Sequence, residues 1–155
     1  MSVINTNKFV SLEANTEDTF NNTLWHEAIS GFLIDYLANK KVSLFELKPT
    51  KHSIINEYDS HQKIKFNGHP AIYINSLILS VDEIKTLAAD EDFYLGHLII
   101  LTSEIINPRE LFNSWAYLKL AGSSYEIITQ DSDGKYFHIH NPTVEAENHF
   151  YKHFK

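Results

Sequence analysis

Four of the chain's nine histidines stand near its C-terminal end, as His138-x-His140 and as His149 and His153. Two histidines two apart on a strand point to the same face, and two histidines four apart on a helix do the same. With Glu145 between the two pairs, three or four imidazoles could converge on zinc or iron, with His138, His140 and Glu145 as the candidate ligands. The competing reading of the same residues is ordinary surface histidine on an edge strand and a frayed terminal helix.

Other residue pairs raise chemistry more weakly. Glu46-x-Lys48 falls in a strand-like segment, where a carboxylate can hold magnesium and a lysine can steady an attacked phosphate. This resembles the signature of metal-dependent nucleases of the restriction-endonuclease type. Those folds use a further acid, usually on a preceding strand, whereas the upstream acid here is Asp35, in a segment with helical periodicity. His138-x-His140 followed by Glu145 resembles a fragment of the cupin metal motif over those three residues; the glycine spacing of that motif is absent. Trp25-His26-Glu27 sets a base beside an acid, but helical neighbours diverge by about 100°, so the two do not converge. There is no Gly-x-Ser-x-Gly elbow, P-loop or Gly-x-Gly-x-x-Gly. His97, inside the most apolar run, reads as a hydrogen-bonded core imidazole.

Acidic residues make the other pattern. Asp82, Glu83, Asp90, Glu91 and Asp92 face a single nearby cation, Lys85, and Asp131 and Asp133 form a second acidic turn. Residues 81–155 carry 12 acidic against 6 basic side chains, in a chain of net charge −7. Nucleic-acid binding draws on basic patches, and none is present. An acidic face suits a basic protein partner, although acids also serve simply to keep a surface soluble. Tyr58, Tyr73, Tyr94, Tyr117, Tyr125, Tyr136 and Tyr151 supply aromatic groups for such a surface or for half-buried sheet positions.

These groups need a scaffold. Phe20, Leu24, Ala28, Phe32 and Tyr36 recur every four residues beside Trp25, Ile29, Leu33 and Leu37, which predicts a long helix over residues 16–39 with a wide apolar face. Residues 42–48, 62–66, 71–79, 93–102, 125–129 and 135–140 read as strands, with 1–14 as a tail or short edge strand. Asn67-Gly68 and Asp131–Gly134 mark two hairpin turns. Ser80-x-x-Glu83 is a capping box that opens a helix to about residue 89. Asn107 caps a further helix with Pro108 at its first position and Gly122 past its end; Leu111, Phe112, Trp115 and Leu118 form its inner stripe. Residues 143–153 allow a short last helix. The expected fold is α+β: one domain over 1–155 with a single mixed sheet of about five to six strands, a long N-terminal helix, and further helices packed on it.

Composition narrows the function. The absence of cysteine excludes a disulfide scaffold, a thiol nucleophile, an iron–sulfur cluster and a Cys-based zinc site. The N-terminus lacks a signal-peptide pattern. The longest apolar run, Leu98–Leu101, is far short of the roughly 20 residues of a membrane span, so a soluble cytoplasmic protein with no membrane partner is expected. In size, acidity, lack of cysteine and lack of a catalytic set, the chain resembles the immunity proteins of bacterial contact-dependent and polymorphic toxin systems. That resemblance implies a non-enzymatic protein without cofactor that blocks the active site of a cognate toxin domain, often a nuclease. The alternative is a metal-binding enzyme or a small-ligand-binding domain using the His138/His140 face.

Overall fold

A computed structural model describes residues 2–5, 10–15, 22–66, 72–90, 99–111, 125–130 and 136–154. In chain order these form β1 (Ser2–Asn5), β2 (Val10–Asn15), α1 (Asn22–Leu37), β3 (Val42–Leu47), a 3-10 turn at Ile54–Glu57, β4 (Gln62–Phe66), β5 (Ile72–Leu79), α2 (Val81–Ala89), β6 (Ile99–Thr102), α3 (Pro108–Leu111), β7 (Ile127–Gln130), β8 (Tyr136–His140) and α4 (Val144–His153). The strands make one sheet in the order β1-β2-β8-β7-β6-β3-β5-β4. Each neighbouring pair is antiparallel.

The α+β class holds, while the finer expectations are corrected. Among the described residues the sheet has eight strands rather than five or six, because the N-terminal stretch expected as a tail or short edge strand supplies both an edge strand, β1, and a second strand, β2, paired with β8. It is antiparallel rather than mixed. β5 and β6, which flank α2, do run in the same direction, but β3 is inserted between them and pairs antiparallel with both. The first helix is described from Asn22 to Leu37 and gives way to a turn at residues 38–39 of the expected 16–39, residues 16–21 lie outside the described residues, and two strands precede it. The Asn67-Gly68 and Asp131–Gly134 turns, the 93–98 half of the apolar run with His97, and the inner stripe beyond Leu111 lie outside the described residues.

Helix boundaries follow the capping chemistry. Ser80 Oγ accepts from Glu83 N and the Glu83 carboxylate accepts from Ser80 N, at 3.3 and 2.8 Å, which closes the capping box at the start of α2. Asn107 Oδ1 accepts from Arg109 N at 3.0 Å, ahead of Pro108. Thr143 Oγ1 accepts from Ala146 N at 3.1 Å at the start of α4; Glu145 and Glu147 stand near its positive pole, and Lys152 and His153 near its negative one.

Period-two alternation assigns the two faces of the sheet. Leu12 on β2, Leu44 on β3, Leu77 on β5, Leu101 on β6, Ile128 on β7 and Phe137 on β8 share one buried cluster with α1, α2 and α4. Phe32 of α1 lies against Phe137 and Phe154, with ring centres 5.5 and 5.9 Å apart. Residues an odd number of positions away in the strands, Phe45, Ile74, Ile100 and Ile127, join Ile106 in a second buried cluster on the opposite face.

A polar knot closes the helix layer. Glu126, 4% exposed, receives the Tyr36 hydroxyl on one carboxylate oxygen and Thr143 N, at 2.7 Å, on the other. Tyr36 Oη also lies 3.3 Å from Thr143 Oγ1. Burial, and then the Glu126 carboxylate, push the Tyr36 phenol well above its ordinary value. One buried acid therefore ties α1, the entry to β7 and the first turn of α4. Tyr36→Phe removes a donor from a buried carboxylate and is expected to cost about 1–3 kcal/mol. The urea midpoint should fall with an unchanged denaturant slope, and an unchanged midpoint would show that the knot contributes nothing.

Candidate functional site

The histidine-rich end is divided between the two sides of the sheet. His138 and His140 alternate with the buried Phe137 and Ile139, so their rings lie on the face away from α1 and α4. Glu13 is the register partner of His138 on β2, and its Oε1 lies 3.2 Å from His138 Nδ1. The His138 and His140 rings stack with centres 5.6 Å apart and planes 19° apart, and Tyr136 stacks on His138 at 6.1 Å. Thr129 Oγ1 on β7 lies 3.2 Å from His140 Nε2. Glu13 and Thr129 are thus the residues of this group that spacing did not single out. The sequence signal for Glu13 was the alternation of Leu12 and Ala14 with Ser11, Glu13 and Asn15.

Glu145 does not join this pair. It stands on the first turn of α4, beyond the other side of the sheet, and pairs with Lys40 at 3.1 Å. His149 and His153 do share a helix face, but they meet Asp35. Asp35 Oδ2 lies 3.1 Å from His149 Nδ1, 2.8 Å from Lys152 Nζ and 3.0 Å from His153 Nε2. Gly31 faces this contact, and a Cβ there would sit 3.2 Å from His153 Nδ1, so that the ring would have to give by a few tenths of an ångström. Among the described residues no group of three or more His, Asp or Glu side chains is arranged to hold a metal ion.

The nuclease-like pair is also dispersed. Glu46 is buried and accepts from Asn75 Nδ2 at 3.1 Å, while the same amide reaches Asn56 Oδ1 at 3.2 Å. Lys48 is exposed just past β3 with a φ of 50°, and Asp35 belongs to the α1–α4 contact. Glu27 is exposed, and the His26 side chain lies outside the described residues.

The acidic edge has a definite frame. Ile84, Leu87 and Ala88 bury one face of α2 against the core, and Ser30 of α1 donates to Ala88 O at 2.6 Å. Asp82 is exposed on the first turn, Glu83 serves the capping box, and Asp90 is the C-terminal cap. Tyr58, which follows the 3-10 turn, has its phenol raised first by burial and then by the charges of Glu83, Asp90 and Glu57. Glu57, which the sequence reading did not select, thus belongs with the α2 acids. Glu91, Asp92, Asp131 and Asp133 lie outside the described residues. The crevice between α1 and α2 is lined by aliphatic side chains such as Leu33, Leu37, Ile84 and Leu87 and offers no polar group to a substrate.

No protein-family model, curated protein or solved structure matches this chain. Among the described residues no helix is long and apolar enough to cross a membrane.

The Asp35 cluster has a pH signature. The Lys152, His153 and His149 donors hold the Asp35 carboxyl well below its ordinary value of 3.8, so its contribution to stability is present above that value and is lost as the pH falls below it. Asp35→Asn is expected to flatten this acid limb. Urea midpoints measured between about pH 5 and about pH 2 check it, and an identical limb in the variant would assign the acid loss to other carboxyls.

Proposed function

We propose that this chain is a non-enzymatic acidic binding protein that neutralises a basic protein partner. In its most specific form it is a cytoplasmic immunity protein that blocks the active site of a cognate, nuclease-type bacterial toxin domain. The observation that carries the reading is that the charges of Glu57, Glu83 and Asp90 act on the half-buried Tyr58, with Asp82 exposed on the same helix as Glu83. These groups sit on a capped helix and a 3-10 turn, both fixed to the main core through Ile84, Leu87 and Ile55. A rigid array of carboxylates around an aromatic group fits the groove a nuclease uses for phosphates: the acids take the places of phosphates and Tyr58 fills the desolvated centre. Glu91 and Asp92 extend the same sequence edge, and Asp131 and Asp133 are a second acidic turn for the partner.

Electrostatic steering gives the test. Replacing Asp82 and Asp90 by lysine is expected to slow association with the basic partner by about ten- to a hundredfold at low salt, with the difference shrinking as salt screens the charges. Stopped-flow association rates across a salt series measure this. Equal rates for the two proteins at every salt concentration would remove the mechanism. Stoichiometric zinc or iron in untagged protein, lost on replacing His138 and His140, would move the function to the opposite face of the sheet.

A further inference from the structure

The carboxylate of Glu46 is only half served by the fold. Glu46 is 8% exposed, and its Oε1 accepts from Asn75 Nδ2 at 3.1 Å. Among the described residues no donor reaches the other oxygen, no cation pairs with the group, and that oxygen is not sealed from solvent. A carboxylate taken out of water is costly unless it is paired and fully hydrogen-bonded. Asn75, itself 1% exposed, brings only a neutral amide, and shares it with Asn56 Oδ1 at 3.2 Å. The charge is left without a counterion.

Strand register shows what surrounds it. Glu46 on β3 is opposite Asn75 on β5, and Asn75 is opposite Lys63 on β4. The next row on the same face holds Tyr73, opposite Lys65 and diagonal to Glu46, a separation that long side chains span. Tyr73 is 42% exposed, and Lys63 Nζ lies over its ring, 5.0 Å from the centre. The ring face therefore already accepts a cation. A carboxylate oxygen lacking a donor beside an open aromatic ring matches a guanidinium, which is planar, weakly hydrated, and able to stack and donate at once. Of the neighbouring cations, Lys48 and Lys65 are exposed and screened by water, whereas Lys63 sits on the ring the guanidinium would use.

We propose that the corner formed by Glu46, Asn75 and Tyr73 is a receptor for an arginine side chain of the basic partner, which displaces Lys63 from the ring and donates to the open oxygen of Glu46. The inference rests on the reading of the chain as a binder of a basic protein and names the group by which that protein is anchored. Asn56, which reaches Asn75, directly precedes Glu57 and Tyr58, so the receptor adjoins the acidic edge. The exposed acids of α2 steer the partner, and the buried carboxylate supplies a desolvated contact of the kind that dominates binding energy.

The probe is Nα-acetyl-L-argininamide, which carries its only charge on the guanidinium, titrated at neutral pH into the full chain while NMR follows the side-chain amide signals of Asn75 and Asn56. Both signals should shift and saturate. Glu46→Gln keeps an acceptor for Asn75 but removes the charge, and should weaken binding about ten- to a hundredfold. Lys63→Gln vacates the ring and should strengthen it about two- to fivefold. Nα-acetyl-L-lysinamide should bind more weakly than the arginine compound. The receptor is overturned if the Asn75 amide shows no saturable shift in either the wild type or Lys63→Gln, if the shift survives Glu46→Gln, or if the lysine compound binds equally well. The wild type and the exposed Lys63→Gln variant decide the matter even where Glu46→Gln fails to fold. Because no partner enters this titration, its failure is separate from failure of the salt-dependent association that tests the α2 edge.

Discussion

A carboxylate buried where three segments meet holds the helix layer to the sheet. Glu126 stands at the entry to β7, takes the hydroxyl of Tyr36 from α1 and takes the Thr143 amide at the cap of α4. A buried acid is tolerated only when its oxygens are satisfied, so both helices must arrive in register for the site to form. The apolar contacts between Phe32, Phe137 and Phe154 are less directional than hydrogen bonds, and the Glu126 knot adds a directional tie between the same elements. Further along α4, the Asp35 cluster makes a second tie to α1 through His149, Lys152 and His153.

With the helices fixed, the sheet separates its polar groups by face. On β8, Phe137 and Ile139 serve the helix-side core, and His138 and His140 look the other way toward Glu13 and Thr129. On β3, Glu46 turns to the helix side, where it is buried and accepts a hydrogen bond from Asn75. The exposed charges near the helix layer include the α2 edge, with Asp82 open to solvent and the charges of Glu57, Glu83 and Asp90 acting on Tyr58. On the proposed reading, the core strands and α1 hold that edge still, so that a partner meets an array already arranged.

Local signals carried much of the fold. The Ser80–Glu83 box and the Asn107-Pro108 start are legible because capping depends on neighbours a few residues apart. The six strands of residues 42–140 are legible from apolar runs and alternation. β1 and β2 are less so, since β1 has only four residues and the alternation in β2 rests on Leu12 and the small Ala14. The all-antiparallel order was not legible, because it depends on β3 entering between β5 and β6, a pairing of distant segments that no local pattern encodes. The site shows the same division. That His149 and His153 share a face follows from helical spacing, but their acceptor, Asp35, is more than a hundred residues away. Likewise Glu13 meets His138 only once β2 is recognised as a strand.

The most direct test of the central claim is a hydrogen-exchange footprint of the protein alone and in complex with a basic, nuclease-type toxin domain of the kind proposed as its partner. The account predicts new protection concentrated on α2, Asp90 and the Glu57–Tyr58 turn, with the His138–His140 face of β8 unchanged. Protection centred on β8 and β2, with α2 exchanging as in the free protein, would contradict it.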